Sequence, residues 1–292
     1  MGFKILAIGE VLWDMLPSGR QLGGAPANFA CHARALGAEA RLVTRVGDDD
    51  LGREILERLA RQGLPTETVE VDPDAPTGTV AVELGTDGQP RFTIVEDVAW
   101  DRIEAGFAAF SAAASADAVC FGSLAQRHRI AREAIRSVVT AARAGALRVF
   151  DVNIRPPFHS RDVIAVSLEM ASVLKLNDQE LPMLAAMFGL DGGVRAQMEA
   201  LARRFELSLV ALTRGGGGSL LYRGGDWSDH LGEPAKVCDT VGAGDAFTAV
   251  LTVGLLEGWP LDEINRRANR VAAYVCSQPG ATPPLPEWLL RD

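Results

Sequence analysis

The sequence predicts an α/β fold: a doubly wound, mostly parallel sheet with a small additional β element. Three observations predict it. Short apolar runs alternate with longer stretches of helical periodicity along most of the 292 residues, the pattern of a parallel sheet buried between two helical layers. Between residues 77 and 96 that rhythm gives way to two alternating segments around Thr86-Asp87-Gly88-Gln89, which read as a hairpin and not as another βα unit. Finally, glycines and carboxylates gather where predicted strands turn into helices, the end of such a sheet at which ligands bind. With 48% apolar residues and a mean hydropathy of +0.09, the chain can bury a large core, and residues 1–292 read as a single domain.

Taken in order, Phe3-Lys4-Ile5-Leu6-Ala7-Ile8 is a nearly continuous apolar run, as expected of a central strand covered on both faces. Gly9-Glu10 closes it. In Leu22-Gly23-Gly24-Ala25-Pro26-Ala27-Asn28-Phe29-Ala30, Pro26 and the spacing of Phe29, Ala33 and Leu36 announce a helix that starts at a glycine turn. A second strand covers 41–46, and Gly47-Asp48-Asp49-Asp50 leads into a helix with Leu51, Ile55 and Leu59 on one face. The three acids look like a metal cluster, but capping and matching of the helix dipole explain them more cheaply. After Trp100 the alternation resumes, with strands at 117–121, 147–151, 172–176 and 208–213. Thr213-Arg214-Gly215-Gly216-Gly217-Gly218 permits either close approach to a nucleotide or a hairpin turn, and the segment from Ser219 to His230 suits an antiparallel edge. Residues 261–277 read as a helix, followed by a turn at Gln278-Pro279-Gly280-Ala281.

Composition excludes several classes. A net charge of −9 and a pI near 5.1 disfavour nucleic acid and anionic membrane surfaces as partners. No apolar run approaches the ~18 residues of a membrane span, and the N-terminus lacks a signal-peptide layout, so a cytoplasmic protein is expected. Cys31, Cys120, Cys238 and Cys276 show no paired spacing and are expected to be reduced core thiols. His32, His128, His159 and His230 form no ligand-spaced pair, which argues against structural zinc and leaves a hard, oxygen-held cation as the expected metal.

The chemistry is expected in Cys238-Asp239-Thr240-Val241-Gly242-Ala243-Gly244-Asp245-Ala246-Phe247. Phe247, Val250, Leu251, Gly254 and Leu255 recur at helical spacing after it, so the Gly-Ala-Gly-Asp turn falls at a helix N-terminus, where free N–H groups and the macrodipole suit an anion. A carboxylate beside an anion nest makes sense for phosphoryl transfer. The group in flight needs donors for its charge, and the attacking hydroxyl needs an acceptor for its proton.

Asp239-Thr240-Val241-Gly242-Ala243-Gly244-Asp245-Ala246-Phe247 resembles the C-terminal signature of the ribokinase-like (PfkB) family of carbohydrate kinases. The glycine turn at 22–30 resembles that family's N-terminal signature in its fructokinase form. Asp151-Val152-Asn153-Ile154-Arg155-Pro156-Pro157 resembles the fructokinase-type Asp-x-Asn-x-Arg-Pro, and Asn177-Asp178-Gln179-Glu180 the family's Asn-x-x-Glu. The resemblance covers essentially the whole chain and implies a ribokinase-like doubly wound sheet with a small β lid drawn from about 11–17 and 77–96. It implies an ATP- and Mg²⁺-dependent sugar kinase, with Gly242, Ala243, Gly244 and Asp245 as the anion hole and Asp245 as the base. Asp14, Gly24 and Asn28 would hold sugar hydroxyls, and Arg91 could reach the sugar or serve as an edge-strand charge. Asn28 also suits a plain helix-start contact. Glu180 would order Mg²⁺ through water, although its spacing from Asn177 equally suits a capping box. Asn177, Thr213 and Gly215 would lie by the nucleotide, and Asn269, Ala272 and Ala273 by the adenine, unless that helix serves packing alone. Asp239, Val241 and Gly280 would cradle a monovalent cation such as K⁺. The solvent side of the lid is a candidate homodimer surface.

No Gly-x-x-x-x-Gly-Lys-[Ser/Thr], no Gly-x-Gly-x-x-Gly and no protein-kinase motif set occurs, so those nucleotide-binding readings lack their fingerprints. D-Fructose, phosphorylated at its 6-hydroxyl, is the expected acceptor. Ribose, 2-keto-3-deoxygluconate, tagatose 6-phosphate and nucleosides share the scaffold and stay open, as does a catalytically silent sugar-binding relative.

Overall fold

The computed structural model describes residues 2–16, 19–84 and 90–291, and all of their side chains except those of 82–84, 90–92 and 291. Its strands in chain order are β1 Lys4–Ile8, β2 Leu12–Leu16, β3 Gly19–Gly23, β4 Glu39–Gly47, β5 Val69–Asp72, β6 Thr79–Leu84, β7 Pro90–Ile94, β8 Ala118–Gly122, β9 Leu147–Asp151, β10 Val173–Asn177, β11 Leu209–Thr213, β12 Ser219–Arg223 and β13 Asp226–His230. The helices are α1 Ala25–Ala35, α2 Asp50–Arg61, α3 Phe107–Ser115, α4 Arg129–Ala141, α5 Arg161–Met170, α6 Glu180–Phe188, α7 Val194–Arg204, α8 Ala243–Leu256, α9 Leu261–Cys276 and α10 Glu287–Arg291.

The main sheet runs β13-β12-β11-β10-β9-β8-β1-β4-β5, parallel from β11 through β5 and antiparallel at β12 and β13. Strand β1 lies between β4 and β8, so the chain winds outward from it in both directions, and the apolar run at the start of the sequence is an interior strand. Period-two alternation divides β1 between two cores. Leu6 and Ile8 enter one with Val119, Phe121, Phe150 and Leu176, while Ile5 and Ala7 enter the other with Phe247 and Val250 of α8.

The second sheet is β3-β2-β6-β7. Residues 19–23 carry no strand signal in the sequence, being Gly-Arg-Gln-Leu-Gly, yet they pair antiparallel with β2 (Asp14 opposite Gln21). Partner register, not intrinsic propensity, makes this strand. β6 and β7 pair as the expected hairpin, and the expected turn at Thr86 to Gln89 lies outside the described residues.

Two expectations are settled by local contacts. Asp49 caps α2 through Gly52 N at 2.7 Å and also accepts from Thr77 N and Oγ1 at 2.8 and 2.6 Å. Asp48 and Asp50 both pair with Arg53. All three acids of the triplet are thus engaged by the start of α2 or by Thr77. The expectation of four core thiols needs correction: Cys31 and Cys120 are buried, but Cys238 is exposed and Cys276 half-buried. Cys238 follows the exposed stretch 233–237, whose backbone has no sheet to shelter it. No described helix is long and apolar enough to cross a membrane.

Candidate active site

The second glycine signature forms the N-terminus of α8. Gly242 is the N-cap residue at φ +81°, and a Cβ there would lie 2.1 Å from Ala281 O. A Cβ on Gly244 would lie 3.1 Å from Lys175 Nζ. Backbone thus approaches Gly242 more closely than any side chain allows, and the ammonium leaves little room at Gly244. Ala281 O is fixed from behind by His32 Nε2 at 2.9 Å. Because a carbonyl can only accept, His32 carries its proton on Nε2; burial holds its pKa down at about 4, against a smaller upward pull from Ala281.

The first signature meets the second directly. Asn28, one turn into α1, donates from Nδ2 to Asp245 Oδ2 at 2.8 Å across 217 residues of sequence. Asp245 is half-buried. Burial first, and then the Asp151 charge, raise its carboxyl to about 6, while Asn28, Lys175 and Arg155 hold it down. Asp14 is raised to about 6 by burial and by Asp239, against Arg155. Glu10, at the end of β1, is 2% exposed and lifted to about 7 by burial, with Arg155 opposing and Asp245 adding to the rise. Its Oε2 has no hydrogen-bond partner. The charge of Arg155, in the loop after β9, thus opposes the rise of Glu10, Asp14 and Asp245 alike.

Beneath the turn lies a pair that motif spacing did not single out. Lys175 Nζ sits 3.1 Å from Asp151 Oδ1, on neighbouring parallel strands in register. The Thr248 hydroxyl, in α8, is 2.8 Å from Asp151 Oδ2 and 2.9 Å from Gly244 O. Asp151 thereby joins the sheet to the helix that carries the anion nest. The signal was present in the sequence as a lysine inside Val-Leu-Lys-Leu-Asn, where a strand covered on both faces tolerates a charge only if it is paired.

Glu180 and Asn177 form a reciprocal cap. Asn177 Oδ1 accepts from Glu180 N at 2.9 Å, and Glu180 Oε2 accepts from Asn177 N at 2.8 Å. Glu180 Oε1 also accepts from Ile154 N at 2.8 Å, which ties α6 to the loop after β9. Burial raises the Glu180 carboxyl, opposed first by Lys175. Glu180 is 4% exposed, and each of its oxygens accepts from one amide, which leaves further lone pairs as the donor chemistry a hard cation or its water would use.

The remaining predicted residues lie around this centre. Thr213 ends β11 opposite Asn177, and Gly215 opens the turn that leads into β12, with Arg214 N bonded to Gly218 O at 2.7 Å. Asn269 is buried on α9, its Nδ2 within 3.0 Å of Ser219 Oγ, Asn265 O and Asn265 Oδ1; its amide is committed to joining α9 to β12. Ala272 and Ala273 are half-buried one turn further on. Asp239 accepts from Val241 N at 3.0 Å and from Gly280 N at 3.3 Å, so these three do converge. Gly24 precedes α1 as its N-cap. The expected sugar contact from the Arg91 side chain lies outside the described residues.

Comparison with known proteins adds the family. The model of the pfkB family carbohydrate kinases matches residues 19–288. A fructokinase of Klebsiella pneumoniae is 33% identical over 87% of this chain and 85% of its own length, and one of Escherichia coli is 29% identical over 98% and 97%. A sugar kinase of Pyrococcus horikoshii, solved in complex with ATP, superposes with a TM-score of 0.82 at 28% identity, covering 95% of this chain and 94% of the other.

Proposed function

The chain belongs to the pfkB family of carbohydrate kinases, and on that premise we propose that it transfers the γ-phosphoryl group of ATP to the 6-hydroxyl of D-fructose, giving fructose 6-phosphate. The observation that carries the assignment of roles is the 2.8 Å bond between Asn28 and Asp245. It holds the residue read as a sugar ligand within hydrogen-bond distance of the residue read as the base, which supports reading the two as one site. The fructokinases among the relatives, at 29% and 33% identity, support the choice of acceptor.

In this reading Asp14 and Asn28 hold sugar hydroxyls, the first as acceptor and the second as donor and acceptor. The hydroxymethyl proton passes to Asp245, the freed oxygen forms a bond to the γ-phosphorus, and the bond to the β,γ-bridging oxygen breaks as ADP leaves. Asp245 at about 6 is ionised at neutral pH and still basic enough to take the proton late in a loose transition state. The amides of the 242–245 turn, the α8 dipole and Lys175 face the equatorial oxygens of the group in flight. Glu180 would hold Mg²⁺ through water, and the ion, when bound, neutralises phosphate charge. Asp239, Val241 and Gly280 would hold a monovalent cation such as K⁺, and Thr213, Gly215, Asn177 and α9 would flank the nucleotide. The four-stranded sheet acts as a lid that keeps water from the phosphoryl group, and its solvent face is the surface through which a homodimer would form.

ADP release measured across a panel of D-fructose, D-ribose, 2-keto-3-deoxygluconate, tagatose 6-phosphate and a nucleoside tests the acceptor. D-Fructose should give the highest kcat/KM, with a 6-phosphate product by ³¹P and ¹³C NMR. A higher kcat/KM for another acceptor overturns the choice of sugar; binding of sugar without stimulated ADP release overturns the kinase mechanism.

A further inference from the structure

The loop that carries Arg155 continues through Phe158, His159 and Ser160 into a separate cavity of about 250 Å³, whose other walls include Glu96, Asp97, Arg127 and His128. None of its lining residues is among those assigned above to sugar, nucleotide or cation.

Arg127 is its fixed centre. The side chain is 6% exposed, with Nε and Nη2 each donating to Asp101 at 2.7 Å and Nη2 also to Val95 O at 2.6 Å. The rings of Trp100 and Phe158 lie over it, with centroids 4.0 and 4.6 Å from Cζ. One edge of the guanidinium is therefore consumed and its faces are covered. Nη1 is left buried with no partner, and a buried charged donor without an acceptor is rare and costly. His159 also lines the cavity, and its Nδ1 is buried without a partner. His128 accepts from Ile130 N through Nδ1, so its proton sits on Nε2 and the imidazole is a donor. Glu96 and Asp97 line the same cavity, are exposed and offer acceptors alone.

A ligand that satisfies both sets needs an anionic acceptor for Arg127 and His159, and hydroxyl donors for Glu96 and Asp97. Two exposed carboxylates oppose a phosphate dianion, and a neutral sugar brings no charge to the guanidinium's free edge. We propose that this cavity is a binding site for a small hydroxylated carboxylate of the sugar-acid class, separate from the fructose cleft.

Titration calorimetry with D-gluconate as the probe tests this, with D-glucose and inorganic phosphate as comparison ligands. Wild type should bind gluconate saturably and more tightly than either comparison ligand. Asp14→Asn, which alters the fructose cleft, should leave gluconate binding in place. His159→Ala and Glu96→Gln should each weaken it by about tenfold through loss of a paired donor or acceptor. These two sites avoid the risk that altering the ion-paired Arg127 unfolds the protein. The proposal fails if gluconate does not bind, if phosphate or glucose binds more tightly, or if Asp14→Asn abolishes binding while His159→Ala retains it.

Discussion

Lys175→Met removes one charge of the pair beneath the anion nest and keeps most of the side-chain volume. Lys175 and Asp151 are 3.1 Å apart and each 8% exposed. Two unit charges at that distance attract by about 5 kcal/mol at an effective dielectric near 20, and the desolvation of both ions offsets part of this. Removing only the cation leaves Asp151 buried with Thr248 as its hydrogen-bonding partner. The expected loss of stability is about 3–5 kcal/mol, read in urea unfolding as a lower midpoint at unchanged slope.

The same substitution should act on the base. Lys175 holds the Asp245 carboxyl down while Asp151 pushes it up, so without the lysine the pKa of Asp245 rises above about 6. A general base works when ionised; activity is present above its pKa and lost as pH falls through it. The acid limb of the kcat/KM profile should therefore move toward neutral pH. Adding Asp151→Asn removes the uncompensated charge, and should restore much of the stability and return the limb toward its original position. It should not restore kcat, because the anion nest still lacks its ammonium, a loss of roughly 10²-fold or more by analogy with single oxyanion donors. A Lys175→Met protein with unchanged urea midpoint and unchanged acid limb would refute the coupling between this pair and the base.

Three further outcomes are expected. Asp245→Asn should lower kcat by roughly 10²–10⁴-fold, leave the sugar KM within a few fold, and abolish the acid limb near pH 6; near wild-type turnover would remove Asp245 from the chemistry. Gly242→Ala should cost about 1–2 kcal/mol for its left-handed backbone alone, and more because the methyl meets Ala281 O at 2.1 Å, so thermal unfolding should fall together with kcat. For His32, with a folded pKa depressed from 6.5 to about 4, the unfolded chain binds the extra proton between those values. Its contribution is present above pH 6.5 and is lost as pH falls toward 4, by an amount on the order of 3 kcal/mol; His32→Gln should flatten that part of the pH–stability curve.

How much of this was legible in the sequence depended on whether the signal was local. The Gly-Ala-Gly-Asp turn before an apolar helix, Pro26 at the start of α1 and the hairpin at β6 and β7 are local patterns, and each formed the element its pattern implies. The pairing of Lys175 with Asp151 was not legible, because the register between β9 and β10 is not written in either strand alone. Only the adjacency of β9 and β10 turns two isolated charges, 24 residues apart, into a partnership. Strand β3 escaped for the same reason, its order being imposed by β2. Glu180 shows a different limit: its spacing from Asn177 announced the cap, but its second bond, to Ile154 N, depends on where the loop after β9 returns.

The charge arrangement explains why one buried region can contain an efficient base without being swamped by its neighbours. Burial, the largest influence on Asp245, raises its carboxyl, and the Asp151 charge adds to the rise. The Asn28 hydrogen bond, Lys175 and Arg155 counter both burial and Asp151, and the balance settles at about 6, high enough to accept a proton and low enough to be empty of one at pH 7. Glu10, at about 7, is close to half-protonated at that pH and so places less than a full negative charge near the base. Arg155 opposes the rise of all three carboxyls, Glu10, Asp14 and Asp245. Its loop runs on to Phe158 and His159 of the second cavity, so a ligand held there would sit against the same segment that sets the protonation of the cleft.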